Sequence, residues 1–242
     1  MGIKCIWCGA SDPPKSTAHI IPESLCAGWS LVAPPGTVCD KCNQYFGLKV
    51  ESVALGSFPF LPLRVLLGVP NKKRRMPSMP STAGRVSTGD FPGQLSVDWA
   101  NERLARAYYE GQLKLLVIPA EVTEPVAVCR MLLKIALEVI GKNQYDSVIS
   151  ARFDSARKFA RFPQRGAKWW FSLYSDPSML TEYYADPSAF EWSVEIRERD
   201  GAAICVLAMP STWAFVPLET SLLPPSPEEE TDHLKRYFWA QV

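Results

Sequence analysis

The chain has 242 residues, 26 basic and 25 acidic side chains, two histidines and seven cysteines, for a formal net charge of +1. At 47% hydrophobic and 21% charged, it can bury a sizeable core as one or two domains, and it is neither wholly disordered, collagen-like nor a coiled coil. The longest apolar run, residues 58–67, is broken by Pro59, Pro62 and Arg64 and falls short of the roughly 20 residues that span a bilayer. No signal-peptide hydrophobic region follows Met1, so the expectation is a soluble, cytoplasmic protein without a membrane partner, whose thiols stay reduced.

In chain order, residues 1–68 form a small cysteine-rich module. Residues 69–94 have the Pro/Ser/Thr/Gly-rich composition of a linker and carry the basic run Lys72-Lys73-Arg74-Arg75. Residues 95–223 read as an α+β domain with helices and an antiparallel sheet. Residues 95–118 hold strands or a helix around 100–109. A helix is expected over 124–140 from the apolar Val128, Leu132, Ile135, Leu137 and Val139, with Gly141 as its stop. A second helix over 145–162 is ended by Pro163. Strands are expected over 169–174 and 190–197; Asp200-Gly201 is a hairpin turn into 202–209, and 213–216 is a further strand. Residues 224–242 are an acidic, Pro-rich tail ending in a short amphipathic stretch. The sequence assigns no role to the larger domain; targeting, sensing and homo-oligomer formation are the candidates.

The cysteines are not of one kind. Cys5-x2-Cys8 and Cys39-x2-Cys42 are two knuckles, each aiming two sulfurs at one point, and together they supply the four thiolates of a closed tetrahedral zinc site. A module this small needs the metal, because apolar burial alone does not hold about 50 residues together. Cys26, Cys129 and Cys205 lie outside the pattern and read as small buried hydrophobes.

Between the knuckles runs Ser16-Thr17-Ala18-His19-Ile20-Ile21-Pro22, and Asn43 follows the second knuckle within Cys39-Asp-Lys-Cys-Asn-Gln-Tyr-Phe-Gly47. Over residues 3–52 this resembles the HNH endonuclease family, in particular its four-cysteine, fifth-type subgroup. The resemblance implies a ββα-metal fold: a hairpin and a helix around one divalent ion. It places His19 at the general base, a role that suits an imidazole of ordinary pKa near 6.5. It places Asn43 at a ligand of the catalytic ion, Mg²⁺ or Mn²⁺, for which a carboxamide oxygen is a suitable hard donor. Asn43 could alternatively cap the following helix. The pattern departs from the family at Ala18, where many members carry Asp or Glu as a second ligand; Glu23 and Glu51 are the carboxylates that could substitute. Pro34-Pro35 occupies the approximate place of the family's middle Asn.

The implied partner is DNA, with RNA as an alternative. Two basic clusters are candidate phosphate contacts. One is Lys72, Lys73, Arg74 and Arg75. The other runs from Arg152 to Lys168, where six cations including Arg157, Lys158, Arg161 and Arg165 stand against Asp154 alone. Trp169-Trp170 follows directly and could stack on bases. Three functions compete: a metal-dependent DNA endonuclease, a non-catalytic zinc module that binds nucleic acid or protein, and a ribonuclease of the same chemistry.

Overall fold

A computed structural model describes residues 3–26, 31–71, 73–91, 94–114, 116–118, 120–176, 178–179, 186, 192–224 and 235–242. The protein is α+β, and it divides into two compact units that do not follow the chain order. One comprises residues 1–22, 30–54 and 124–242; the other comprises 23–29 and 55–123.

In the first unit, His19 and Val32 pair antiparallel. The pairing is closed by Ile20 N–H to Leu31 O at 2.7 Å and Ala33 N–H to Ala18 O at 2.9 Å. A helix follows: α1 (Asp40–Phe46), a π-helical segment (Gly47–Glu51) and α2 (Ser52–Ala54). Hairpin and helix are the ββα arrangement expected from the sequence.

The longest helix of this unit, α5 (Pro125–Asn143), starts on a proline, whose missing N–H is no loss there. Every residue from Ala127 to Gly141 is buried. A helix apolar nearly all round has to be enclosed, and α5 is. It contacts the π-helical segment and α2 of the ββα element, the helices α6 (Tyr145–Val148) and α7 (Asp154–Arg161), and five strands. The expected single helix over 145–162 is thus two, separated by a 3₁₀ turn at Ala151–Phe153.

The strands are β4 (Lys168–Ser175), β5 (Ser193–Arg199), β6 (Ala202–Met209), β7 (Thr212–Pro217) and β8 (Lys235–Gln241). They form one antiparallel sheet in the order β5-β6-β7-β4-β8. Asp200 and Gly201 join β5 to β6 with φ of 53° and 77°, the double left-handed geometry that suits the strand twist. The amphipathic end of the tail is structural: β8 pairs with β4 from Lys168↔Gln241 to Tyr174↔Lys235. Residues 225–234 of the tail, with His233, and Phe190 and Glu191 of the expected strand lie outside the described residues.

The second unit holds α3 (Phe60–Leu66), β1 (Ser78–Ser81), β2 (Gly84–Thr88), β3 (Leu95–Trp99) and α4 (Glu102–Tyr109). The strands form an antiparallel meander in chain order. Its core is Val65, Met79 and Val86, packed by Leu61, Leu95, Val97 and Ile118. Arg64 is buried with its guanidinium on Ser24 O at 2.7 Å and Leu55 O at 3.3 Å.

The structure therefore differs from the expected division. The stretch 69–94 is not a plain linker, since it contains β1 and β2. Its strands are short and each buries only one side chain, Met79 or Val86, so the polar composition hides them. Nor is the cysteine module a domain apart from the C-terminal half of the chain. Its knuckles and helix share a unit with residues 124–242, because α5 is too apolar to stand without a cover on the module side.

Gly84 is a confined glycine of the second unit. Its φ is +146°, and a Cβ there would lie 2.1 Å from Asp98 O on the neighbouring strand. Gly84→Ala is expected to lower stability by about 1–3 kcal/mol, read as a lower urea midpoint, with little effect on metal content.

Candidate active site

The zinc-site geometry is built from two tight turns. Cys5 O accepts from Gly9 N–H and Ala10 O accepts from Cys5 N–H, both at 2.8 Å, with Gly9 at φ 72°. Cys39 is the N-cap of α1 and Cys42 sits in its first turn. Ile6 N–H donates to Thr37 O at 2.9 Å, joining the two knuckles. All four sulfurs lie within 4.8 Å of one another, and Cys8 Sγ is 3.6 Å from Cys39 Sγ. A tetrahedron with 2.3 Å zinc–sulfur bonds has edges of about 3.8 Å. The group fits a zinc ion.

The electrostatics agree. The hydrogen bond from Cys42 pushes the Cys5 thiol down to about 4. Its partner Cys42 is pushed up, chiefly by that same bond, and burial raises Cys39. The Cys5 thiolate is favoured while those of Cys39 and Cys42 are opposed, so a dication among the four sulfurs would supply the charge that lets the set ionise together. A further cation stands close by: the Arg161 guanidinium favours the Cys42 thiolate, against the groups that raise it, and stacks on Tyr45 with its guanidinium carbon 3.7 Å from the ring centroid.

His19 is half-buried at the antiparallel bridge to Val32. Asn43 is the fourth residue of α1, not its cap, since Cys39 holds the cap position. The start of α1 grips the segment that leads to His19. Asp40 accepts from the N–H groups of Lys15 and Ser16, each at 2.9 Å, and from the Ser16 hydroxyl. Those bonds, the hydroxyl first, hold its carboxyl below the usual range. Asn43 Nδ2 donates to Ser16 Oγ at 3.2 Å and to Thr17 O at 3.3 Å. A carbonyl only accepts, so the amide nitrogen must face Thr17. The carboxamide oxygen is left, with no hydrogen bond among the described residues, as a hard donor for a cation. Asn43 is thereby tied to the residue two places before His19.

Ala18 is buried and adds no ligand. Glu51 does not substitute, because it is ion-paired with Lys134 at 3.1 Å. Glu23 falls in the other compact unit.

The larger surprise is a charged stripe on the apolar helix α5. Arg130, Lys134 and Glu138 are all buried and, spaced by four, share one face. Arg130 donates to Tyr45 Oη at 2.6 Å and Ala160 O at 2.8 Å. Lys134 pairs with Glu138 at 2.9 Å as well as with Glu51. Glu138 accepts from Trp7 Nε1 at 3.1 Å. Burial pushes its carboxyl up to about 7, against the pull of Lys134. The reading of 124–140 used only apolar periodicity. The signal it passed over is three charges at one helical spacing in a segment otherwise buried, where each must find a partner.

The basic clusters divide. Lys73, Arg74 and Arg75 are exposed; Lys72 lies outside the described residues. Lys158 and Arg165 are exposed. Arg157 is held by Asp154 and Val148 O, and Arg152 by Glu198 and Glu219. Arg161 is buried against Tyr45 beside Cys42, so it does not offer a surface contact. The tryptophans are not stacking platforms: both are buried, and their ring N–H groups donate to Pro217 O and Leu222 O.

Residues 5–59 match the family described as HNH endonuclease. The match covers both knuckles, His19 and Asn43, and it supports a nuclease-type function and a nucleic-acid partner. No curated protein and no solved structure matches the chain. No helix among the described residues is long and apolar enough to cross a membrane.

Purified protein is expected to carry one zinc per chain by elemental analysis. Cys42→Ser, which removes a buried ligand, should lose that zinc and lower the thermal midpoint. Exposed Lys15→Ala should retain it.

Proposed function

We propose that this chain, through its HNH endonuclease segment, hydrolyses phosphodiester bonds of DNA. His19 is the general base and Asn43 the protein ligand of a divalent ion. The observation that carries the reading is the frame at the start of α1. Asn43 spends its amide hydrogens on Ser16 and Thr17, which secures the approach to His19 and leaves the amide oxygen for a cation.

The chemistry follows from those placements. The His19 imidazole takes a proton from a water molecule. The water oxygen bonds to phosphorus as the bond from phosphorus to the 3′-oxygen breaks, and that oxygen is protonated from solvent. Mg²⁺ or Mn²⁺ on Asn43 would polarise the phosphate and stabilise charge on the leaving oxygen. Ala18 supplies no second ligand, so Asn43 would be the protein's ligand to such an ion, which commonly keeps several waters. Cys5, Cys8, Cys39 and Cys42 would hold a zinc ion that supplies structure rather than catalysis, tying knuckle to helix. The exposed Lys73, Arg74, Arg75, Lys158 and Arg165 are the contacts proposed for the phosphate backbone.

Ala18 also favours a second reading, a zinc module that binds nucleic acid without cutting it. The two differ in one experiment. With Mg²⁺ or Mn²⁺, the protein is expected to nick plasmid DNA, and His19→Ala to slow nicking by about 10²–10⁴-fold with zinc retained. DNA binding without nicking supports the second reading; equal nicking by wild type and His19→Ala contradicts the first. Parallel digestion of RNA separates a ribonuclease from both. Asn43→Ala should raise the Mg²⁺ concentration needed for half-maximal rate while leaving the zinc content at one per chain.

A further inference from the structure

The Lys134 ammonium has three protons and four acceptors around it. Two are the Glu51 and Glu138 carboxylates, at 3.1 and 2.9 Å. The other two are backbone carbonyls, those of His19 and of Ile20, the second at 3.0 Å. The side chain is 1% exposed. Successive carbonyls of an extended strand point to opposite sides, so one cation reaches both only if the chain turns there. It does: residues 20 and 21 bend out of the extended path directly after His19.

The rest of the stripe braces the same element. Trp7 of the first knuckle bonds Glu138, and Tyr45 of α1 bonds Arg130. One helix, more than 100 residues downstream, thus contacts the knuckle, the strand and the helix of the ββα element.

We propose that Lys134 is the positioning residue for His19: by holding the His19 and Ile20 carbonyls it sets the bend that aims the imidazole, so helix α5 completes the active module. The proposal rests on the reading of His19 as the base. It also makes residues 124–143 part of the catalytic machinery without touching substrate. A base displaced by about 1 Å loses rate on the order of 10²-fold.

The test uses the full chain with His233→Gln, which leaves His19 as the one histidine and its ring signals unambiguous in NMR. Lys134→Met alone would strand Glu138 in the interior without its counter-charge. The informative variant is therefore Lys134→Met with Glu138→Gln, which removes the cation but keeps an acceptor for Trp7. Zinc at one equivalent and an unchanged far-UV spectrum establish its fold.

The proposal expects three results in this double variant. The His19 ring signals shift. Plasmid nicking falls about 100-fold while DNA affinity stays within twofold. In a His19→Ala background the same pair of substitutions changes the residual rate no further, because two residues acting through one group are not additive. Unmoved His19 ring signals would overturn it, as would an equal loss of rate in both backgrounds. If the parent protein does not cut DNA, the nuclease reading fails on its own, and the ring signals alone then decide whether Lys134 positions His19.

Discussion

An ammonium group carried into the interior by an apolar helix is the constraint around which the first compact unit is organised. Removing a charge from water costs several kcal/mol even after relaxation, and only well-placed partners offset it. Lys134 meets that cost with two carboxylates and two carbonyls. None of the partners has latitude. Glu138 is on the same helix, Glu51 is on the helix of the ββα element, and the carbonyls belong to the strand with His19. Satisfying all of them fixes the rotation and register of α5 against the module. The desolvation that makes such a pair poor for net stability makes it effective for specificity of position, because every alternative register leaves a charge unpaired.

Three anchors then converge on one short strand. The knuckles, whose four sulfurs fit a zinc ion, include the N-cap and first turn of α1. Asp40 and Asn43 at that start hold residues 15–17. Lys134 holds residues 19 and 20. His19 sits between the last two, with its backbone fixed from both sides along the chain. The arrangement also explains why the C-terminal sheet exists in this unit: α5 is apolar nearly all round, and strands β4 to β8 cover what the module does not.

Much of the site was legible in the sequence. Two C-x2-C pairs, a His between them and an Asn after them form a pattern that few other structures explain, and the four cysteine sulfurs do come together within 4.8 Å of one another. The helix over 124–140, the Asp200-Gly201 turn and the strands around it were equally open to periodicity and turn chemistry. What escaped were long-range partnerships. Nothing local says that Lys134 bonds a carbonyl 115 residues away, or that Arg161 lies beside the Cys42 sulfur rather than on the surface. A basic run on a helix looks the same whether its cations are solvated, as Lys158 is, or enclosed, as Arg161 is. The meander in 78–99 was hidden for a different reason: each strand buries so little that its composition is that of a loop.

The most direct test of the account is a crystal structure grown with Mn²⁺ and a DNA duplex, with anomalous data at the zinc and manganese edges. The account predicts zinc at the four sulfurs, manganese on Asn43 Oδ1 and a DNA phosphate, and the His19 ring facing that phosphate. Zinc alone, with the His19 ring turned into the core and no manganese at Asn43, would contradict it.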